Sequence, residues 1–210
     1  MFILSDDAGY ADFGFQGSKQ FETPNLDKLA ENGMILHQMY TTDAVSGPSR
    51  AGLMTGRYQQ RFGIEENNVV GYMSKHGKYG LDMGVPTSEK FISNYLSESG
   101  YVCGAFGKWH LGATDEYHPY RRGFDHFVGF RSGGRDYYSY NNREKSFADE
   151  GVEKKLEYGF AHFKEPDKYM TYLLADEACK FIEENAEKPF FVYLAFNAVH
   201  APLQARKGRS

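Results

Sequence analysis

The sequence predicts an α/β protein with a mostly parallel central sheet and helices on both faces. Two observations support this class. Apolar runs that are typical of buried strands alternate along the chain with amphipathic runs of helical period. They follow one another in the order strand, helix, strand, helix, strand, which is typical of parallel sheets whose connecting helices cover both faces.

The first half of the chain is predicted to hold two strands and two helices. Residues 2–5 have the pattern of the end of a buried strand that leads into a polar turn. Pro24 is a favourable first residue for a helix whose apolar stripe ends before Gly33. Residues 34–40 are predicted as the next strand, and residues 49–57 as a short helix after a Ser-Gly-Pro break. The serine of that break therefore lies at a helix N-terminus.

The second half is predicted to hold a helix at residues 91–96, a strand at 101–106, a helix at 170–182 and a strand at 189–196. The last of these is a nearly continuous apolar run, which is the pattern of a strand covered on both faces. It supports a buried parallel sheet.

Two segments are predicted to be variable loops. Residues 65–84 are polar and rich in Gly and Asn, and residues 131–164 mix aromatic, charged and glycine residues without a clear period. The second segment belongs to a longer irregular insertion that is predicted from residue 121. These loops are where substrate preference is expected to reside.

Composition excludes several classes. The chain has 210 residues, of which 41% are hydrophobic, enough for a sizeable core. Its formal net charge of -4 provides no basic field for nucleic acid, so an anionic substrate needs local cations. Cys103 and Cys179 are too few for a disulfide framework and wrongly spaced for a zinc site. No segment approaches the roughly 20 apolar residues that span a bilayer.

Asp6 and Asp7 form a candidate metal site. They follow the first predicted strand, and adjacent carboxylates are hard oxygen ligands that suit calcium or magnesium. The pair by itself is also compatible with a solvated turn, and this simpler interpretation is favoured when the pair is taken alone.

A second candidate site begins at Ser46, before a predicted helix whose free amides favour anions. Arg50 lies one turn into that helix and can hold an oxyanion. By residue type alone, a serine in this position is more often a helix cap than a nucleophile.

The segment from Ser46 to Arg57 resembles the signature of the type I sulfatases of the alkaline phosphatase superfamily. That signature is Cys or Ser, any residue, Pro-Ser-Arg and a Thr-Gly-Arg ending, and every fixed element is present. Further motifs match in the family's order: Asp6-Asp7 with Gly9-Tyr10, Thr23-Pro24-Asn25-Leu26-Asp27, Gly107-Lys108-Trp109-His110-Leu111-Gly112, Gly123-Phe124-Asp125, and His200 with Pro202. The resemblance covers residues 3–202.

The resemblance implies an alkaline-phosphatase-like sandwich that is incomplete at its C-terminus. The family's second pair of metal ligands, an Asp followed by Asn or His, and a further Lys normally lie well beyond the position of His200. Residues 1–210 are therefore expected to be the N-terminal portion of the catalytic domain, inactive alone or in need of a complementing segment.

The resemblance also implies a modified residue and a metal. Ser46 matches the residue that is oxidised to formylglycine, and a serine there resembles the bacterial variant that a radical maturase processes. Asp6 and Asp7 match metal ligands, with the modified Ser46 as a third. Calcium is the family's usual ion, and magnesium stays open.

Four more residues receive roles from the same resemblance. Arg50 clamps the formylglycine hydrate, and Lys108 bridges the hydrate and the sulfate. His110 matches the base that deprotonates the hydrate, and His200 matches the acid that protonates the departing alcohol. A lone Lys or His is more often structural, but Lys108 and His110 stand two residues apart on an extended segment and point the same way.

The implied reaction is removal of sulfate from a sulfated carbohydrate. The carbohydrate preference rests on bacterial relatives and on the loop residues Arg131, Arg135, Tyr137 and Tyr138. A phosphoesterase or phosphonate hydrolase of the same superfamily stays open, and so does a non-catalytic protein that binds sulfated glycans through an unmodified Ser46. The resemblance implies a periplasmic or secreted location, with any signal peptide missing from this chain.

Overall fold

The computed structural model describes residues 1–66, 83–138, 155–164 and 168–206. Within these ranges, five strands form one sheet: β1 (Phe2–Leu4), β2 (Val102–Lys108), β3 (His126–Phe130), β4 (Glu157–Tyr158) and β5 (Phe190–Ala195). Their order across the sheet is β1-β5-β2-β3-β4, and every neighbouring pair is parallel except β3 and β4. The predicted mostly parallel sheet is confirmed.

Helices cover both faces of this sheet. The described residues form α1 (Pro24–Glu31), α2 (Ser46–Thr55), α3 (Ile92–Glu98) and α4 (Met170–Glu184), and short 3₁₀ turns at Gly14–Gln16, Gln59–Phe62, Asp115–Tyr117 and Pro119–Arg121. Successive residues of β5 point to opposite faces. Phe191 and Tyr193 pack in one apolar cluster with Met54 of α2, whereas Val192 packs in the other with Leu174 of α4. Among the described helices, none is both long and apolar enough to cross a membrane.

Close packing of β2 against β5 depends on Gly107. Its φ is +108°, and a Cβ at this position would lie 2.0 Å from the carbonyl oxygen of Ala195. Only glycine tolerates that backbone conformation together with that approach. The contact places the next residue, Lys108, at the carboxyl end of β2 beside the end of β5.

Two expectations about the N-terminal segment are wrong. Residues 34–40 form no strand, and their side chains are exposed. β1 does form, but at the edge of the sheet, where Phe2 is 37% and Ile3 52% exposed. An apolar run has the same composition whether neighbouring chain covers it or not, so its burial could not be read from the residues alone.

The predicted irregular insertion from residue 121 contains two strands that the sequence pattern missed, β3 and β4. β4 has only two residues, and its pairing with β3 joins positions far apart in the chain. A period cannot be recognised in so short a strand. Residues 67–82, which include most of the first predicted loop, and residues 139–154, which include nearly half of the second, lie outside the described residues.

A buried ion pair joins the end of β3 to β4. Arg131 donates hydrogen bonds of 2.8 Å from Nε and from Nη2 to the two carboxylate oxygens of Glu157. Burial raises the pKa of Glu157. Contacts with His118, Arg131 and the amide of Ala161 lower it by more than burial raises it, so the pKa falls from an ordinary 4.5 to about 2. Nη1 of Arg131 also donates to the exposed carboxylate of Asp115 at 2.7 Å. Charge therefore helps to hold this edge of the sheet.

Replacing Glu157 with glutamine is expected to lower the free energy of unfolding by about 3 kcal/mol at neutral pH, because Arg131 would stay buried with only the exposed Asp115 as a counter-ion. The folded-state pKa of Glu157 lies below the unfolded value. Its contribution is therefore present above about pH 4.5 and is lost as the pH falls towards 2. Urea unfolding at neutral and at acidic pH measures both effects.

Asp115→Asn is the matched control for this experiment. It removes a second partner of the same Arg131, but the Asp115 side chain is 71% exposed, so the expected loss is below about 1 kcal/mol. Equal losses in the two variants would contradict the prediction.

Candidate active site

The residues singled out in the sequence meet at one edge of the sheet. They are Asp6, Asp7, Ser46, Arg50, Lys108, His110 and His200. Asp6 follows β1, Lys108 ends β2, and His200 follows β5. The carboxyl ends of parallel strands lie at the same edge, where α/β proteins place their sites. Helix α2 brings its N-terminus to this edge.

Ser46 is the first residue of α2, and its hydroxyl faces two other site residues. Lys108 Nζ donates a hydrogen bond to Ser46 Oγ at 2.9 Å, and His110 Nδ1 lies 3.0 Å from the same oxygen. The N-cap position belongs to Val45 rather than to Ser46. The oxygen is therefore held by an ammonium and an imidazole, and its role is not that of a helix cap.

A buried cluster of three charges lies beneath this hydroxyl. Lys108 Nζ contacts Asp6 Oδ2 at 2.6 Å, and Arg50 Nη2 lies 3.5 Å from Asp6 Oδ1. Arg50 Nη1 donates to the carbonyl oxygen of Lys108 at 2.8 Å and to the hydroxyl of Tyr193 at 3.2 Å. Two cations face one carboxylate, and the buried Nε of Arg50 has no hydrogen-bond partner in the described part of the chain. A bound anion would complete such a cluster.

The protonation of Lys108 and His110 follows from the same surroundings. Burial and the nearby Arg50 lower the pKa of Lys108, and attraction to Asp6 offsets part of the shift, leaving it at about 8. Burial lowers the pKa of His110 well below 6.5, and the charges of Lys108 and Arg50 add to that effect. At neutral pH, Lys108 is largely an ammonium and His110 is neutral. A neutral imidazole can accept a proton.

Asp7 and His200 form the exposed rim of the site. His200 Nε2 lies 3.9 Å from Asp7 Oδ2, and His200 Nδ1 lies 2.6 Å from the carbonyl oxygen of Ala201. Both Asp7 and His110 have a φ of 58°, in the left-handed region. Residues other than glycine rarely adopt this backbone conformation, and those that do are concentrated at functional sites.

The oxygens of Asp6, Asp7 and Ser46 are the candidate metal ligands. They are hard donors, and in kind they suit calcium or magnesium. These ligands are few. Among the described residues, no three or more His, Cys, Asp or Glu side chains form a cluster that could hold a metal. Calcium takes roughly six to eight oxygens, so water, substrate or further protein groups must supply the others.

Three residues near the site were missed from the sequence. The hydroxyl of Tyr193 accepts a hydrogen bond from Arg50, and Gly133 lies against the ring of His110. Asn197 is 2% exposed, yet neither amide atom of its side chain has a hydrogen-bond partner in the described ranges. Polar residues within or just after a buried apolar strand are a usable signal for Tyr193 and Asn197. Gly133 carries no such signal.

The side chains expected in a substrate-binding loop are mostly buried. Arg131 is 5%, Arg135 2% and Tyr137 3% exposed, so surrounding protein covers most of these three side chains. The single proton of the Tyr137 hydroxyl is shared between the carbonyl oxygens of Asn197, at 2.6 Å, and His200, at 2.9 Å. This segment therefore supports the site from within.

Fold and site together define an α/β protein that brings a serine oxygen, a neutral histidine and a buried cationic cluster to the carboxyl edge of its sheet, an arrangement suited to a tetrahedral anion. Residues 1–208 match the protein family described as Sulfatase, and the chain belongs to this family. The predicted membership in the sulfatases is thereby confirmed.

Individual relatives agree with this assignment. N-acetylgalactosamine-6-sulfatase from Homo sapiens is 34% identical over 213 residues, which cover 99% of this chain and 40% of that protein. Arylsulfatase G from Homo sapiens is 31% identical over an alignment of 236 residues, gaps included, that covers 99% of this chain and 43% of that protein. The crystal structure of Ps i-CgsB in complex with k-i-k-neocarrahexaose is similar with a TM-score of 0.84 and 42% identity, covering 97% of this chain and 46% of that one. The chain thus spans less than half the length of these relatives.

Proposed function

We propose that the protein hydrolyses sulfate esters, with residue 46 as the nucleophile after Ser46 is oxidised to formylglycine. The observation that carries the proposal is the position of the Ser46 oxygen between the Lys108 ammonium and the neutral His110 imidazole. In this chain, the serine hydroxyl stands in for one hydroxyl of the formylglycine hydrate. The hydrate supplies one hydroxyl to attack sulfur and a second whose deprotonation expels sulfate, a route that an unmodified serine lacks.

Two of the three proton transfers in this proposal have a residue in place, and the third, from the hydroxyl that attacks sulfur, goes to solvent. His110 Nδ1 lies within hydrogen-bond distance of the residue 46 oxygen and takes the proton of the second hydroxyl, the one that does not attack sulfur, when sulfate is expelled. His200, on the exposed rim, gives a proton to the alcohol oxygen as its bond to sulfur breaks. The alcohol therefore leaves neutral, and the proton on His110 returns to solvent.

The cations of the site hold the sulfate group. Lys108 reaches the residue 46 oxygen, and Arg50 has a buried Nε whose hydrogen-bonding capacity is unused within the described residues. Asp6, Asp7 and the oxygen of residue 46 would hold a divalent cation, for which we propose calcium, and that ion supplies Lewis-acid polarisation of the nucleophilic oxygen.

We propose a sulfated carbohydrate as the substrate class. N-acetylgalactosamine-6-sulfatase is named for a sulfated sugar, and Ps i-CgsB was crystallised with an oligosaccharide, k-i-k-neocarrahexaose. The serine at position 46 supports a bacterial source and a radical maturase, and the family resemblance supports a periplasmic or secreted location. The length ratio to the relatives is compatible with residues 1–210 acting as one portion of a longer catalytic domain.

A serine-nucleophile phosphoesterase is the second candidate. One observation favours it: unmodified Ser46 already has its hydroxyl 3.0 Å from a histidine nitrogen, the arrangement of a serine activated by a base. Phosphate and sulfate esters are both tetrahedral and anionic, so the cationic cluster alone does not distinguish them.

The deciding experiment uses the protein purified from its native host. We expect the peptide that contains residue 46 to be lighter than the encoded peptide by two hydrogens, and aryl sulfate to be hydrolysed faster than the matched aryl phosphate. An unmodified serine together with preferred phosphate hydrolysis would replace the proposal by the phosphoesterase. Binding of sulfated oligosaccharide without turnover of either ester would indicate a glycan-binding protein instead.

A further inference from the structure

We propose that Gly133 is a positioning residue whose lack of a side chain leaves a seat for the His110 imidazole against residue 46. The role of the seated ring in sulfate release rests on the proposed function. The geometry of the seat does not, because it follows from contacts of the chain itself.

The first step of the argument is the space around the His110 ring. A Cβ at position 133 would lie 2.6 Å from His110 Nε2, 2.7 Å from Cε1 and 3.1 Å from Cδ2. Two of these distances are shorter than real Cβ atoms show, so any side chain at 133 would force the ring to move. On its other nitrogen, Nδ1, the same ring contacts Ser46 Oγ at 3.0 Å. The imidazole therefore lies with one nitrogen towards the nucleophilic oxygen and the other against the Gly133 backbone.

The second step is the backbone on which this ring is mounted. His110 has a φ of 58°, which turns the chain out of the extended conformation directly after β2. Its amide donates to the carbonyl oxygen of Arg131 at 3.1 Å, and the preceding amide, of Trp109, donates to Phe130 at 3.0 Å. The strained residue and the turn that contacts its side chain are thus bound to each other.

The third step is the rigidity of the turn. Arg131, at its start, is fixed by two hydrogen bonds of 2.8 Å to buried Glu157. Ser132 Oγ donates to the carbonyl oxygen of Gly134 at 3.0 Å and closes the turn. These hydrogen bonds fix the backbone that the His110 ring contacts. Such support matters because catalytic rates fall steeply when a catalytic side chain is not held in its productive position.

The neighbouring glycine provides a matched control. A Cβ at position 134 would lie 3.4 Å from His200 Cε1, an ordinary van der Waals distance. Neither Gly133 nor Gly134 has a φ in the positive region, so alanine is compatible with the backbone at both positions. The two substitutions differ mainly in what the added methyl group meets.

The test compares Gly133→Ala with Gly134→Ala. For Gly133→Ala, introduced into the protein in its native host, we expect kcat for an aryl sulfate to fall about 100-fold, the order expected for a misplacement of about 1 Å, with KM within about twofold. For Gly134→Ala we expect kcat within about 1.5-fold of the unsubstituted protein. The imidazole NMR signals of His110, recorded on the 210-residue chain at one fixed pH, should shift in the first variant and stay in place in the second.

Unchanged His110 signals and kcat in Gly133→Ala, or equal changes in both variants, would overturn the proposal. If Gly133→Ala does not fold, Ser132→Ala decides. It removes the hydrogen bond that closes the turn, and we expect a roughly threefold fall in kcat with a smaller shift of the same His110 signals; no change in either quantity would refute the seat. A native protein that hydrolyses no sulfate ester would instead refute the proposed function, and the NMR comparison would still test the seat.

Discussion

Replacing Ser46 with alanine is expected to lower kcat for sulfate-ester hydrolysis by more than about 10⁴-fold, because residue 46 carries the reacting oxygen in the proposed mechanism. The fold should survive the change. The hydroxyl is one partner among several for Lys108, whose ammonium keeps its 2.6 Å contact with Asp6. The expected loss of unfolding free energy is about 1 kcal/mol, the usual contribution of one hydrogen bond.

Ser46→Cys is the informative partner of this variant. The family signature accepts cysteine at this position, so the cysteine variant should regain hydrolysis in a host whose maturation enzyme processes cysteine. It should stay inactive in a host that processes only serine. The measurements are the initial rate with an aryl sulfate and the mass of the peptide that contains residue 46. Hydrolysis by Ser46→Ala above a few per cent of the original rate would show that another oxygen attacks sulfur.

Asp6→Asn is expected to lower the free energy of unfolding by about 3 kcal/mol, whereas Asp7→Asn should change it by less than about 0.5 kcal/mol. The two carboxylates are adjacent in the sequence, but their surroundings differ. Asp6 is the buried counter-ion of Lys108, at 2.6 Å, and of Arg50, at 3.5 Å. Asp7 has a side chain that is 57% exposed and a φ of 58°, which asparagine adopts more readily than most residues.

Urea unfolding of the 210-residue chain in the presence of a chelator measures this difference without any contribution from a metal. Both substitutions remove a proposed ligand, so both should also weaken calcium binding, which titration calorimetry on the same proteins can follow. Equal destabilisation by the two substitutions would contradict the buried cluster. Unchanged calcium binding in both would exclude Asp6 and Asp7 as ligands.

Most of the fold could be predicted because its main elements carry strong local patterns. The run that forms β5 (Phe190–Ala195) is apolar nearly throughout, and the stripe that forms α4 (Met170–Glu184) repeats with a helical period. Both patterns reflect burial that extends over many residues. Secondary structure was predicted wrongly where burial does not extend over many residues. β4 has only two residues and was missed, and the apolar segment 34–40 is exposed and forms no strand.

The candidate site follows the same division. Ser46 and Arg50 stand in one continuous motif, and Lys108 and His110 in another, so their residue types and short spacings were visible in the chain. Gly133 and Tyr193 act on these residues from other elements. A polar residue in a buried strand was a signal for Tyr193, but the contacts of both residues depend on the tertiary structure. No local pattern linked Arg131 to its partner Glu157, because the two residues are 26 positions apart.

By itself, the sequence determined the α/β class, the order of the main elements, and the set of chemical groups from Asp6 to His200, because each is expressed by residue types at short spacing. Only the tertiary structure decided which of these groups touch. It made Asp6 a buried counter-ion and left Asp7 exposed, and it set His110 between Ser46 and the Gly133 turn. The physical reason is that burial, pKa and contact distance depend on chain segments brought together from distant positions. A sequence motif contains only residues that are close together in the chain.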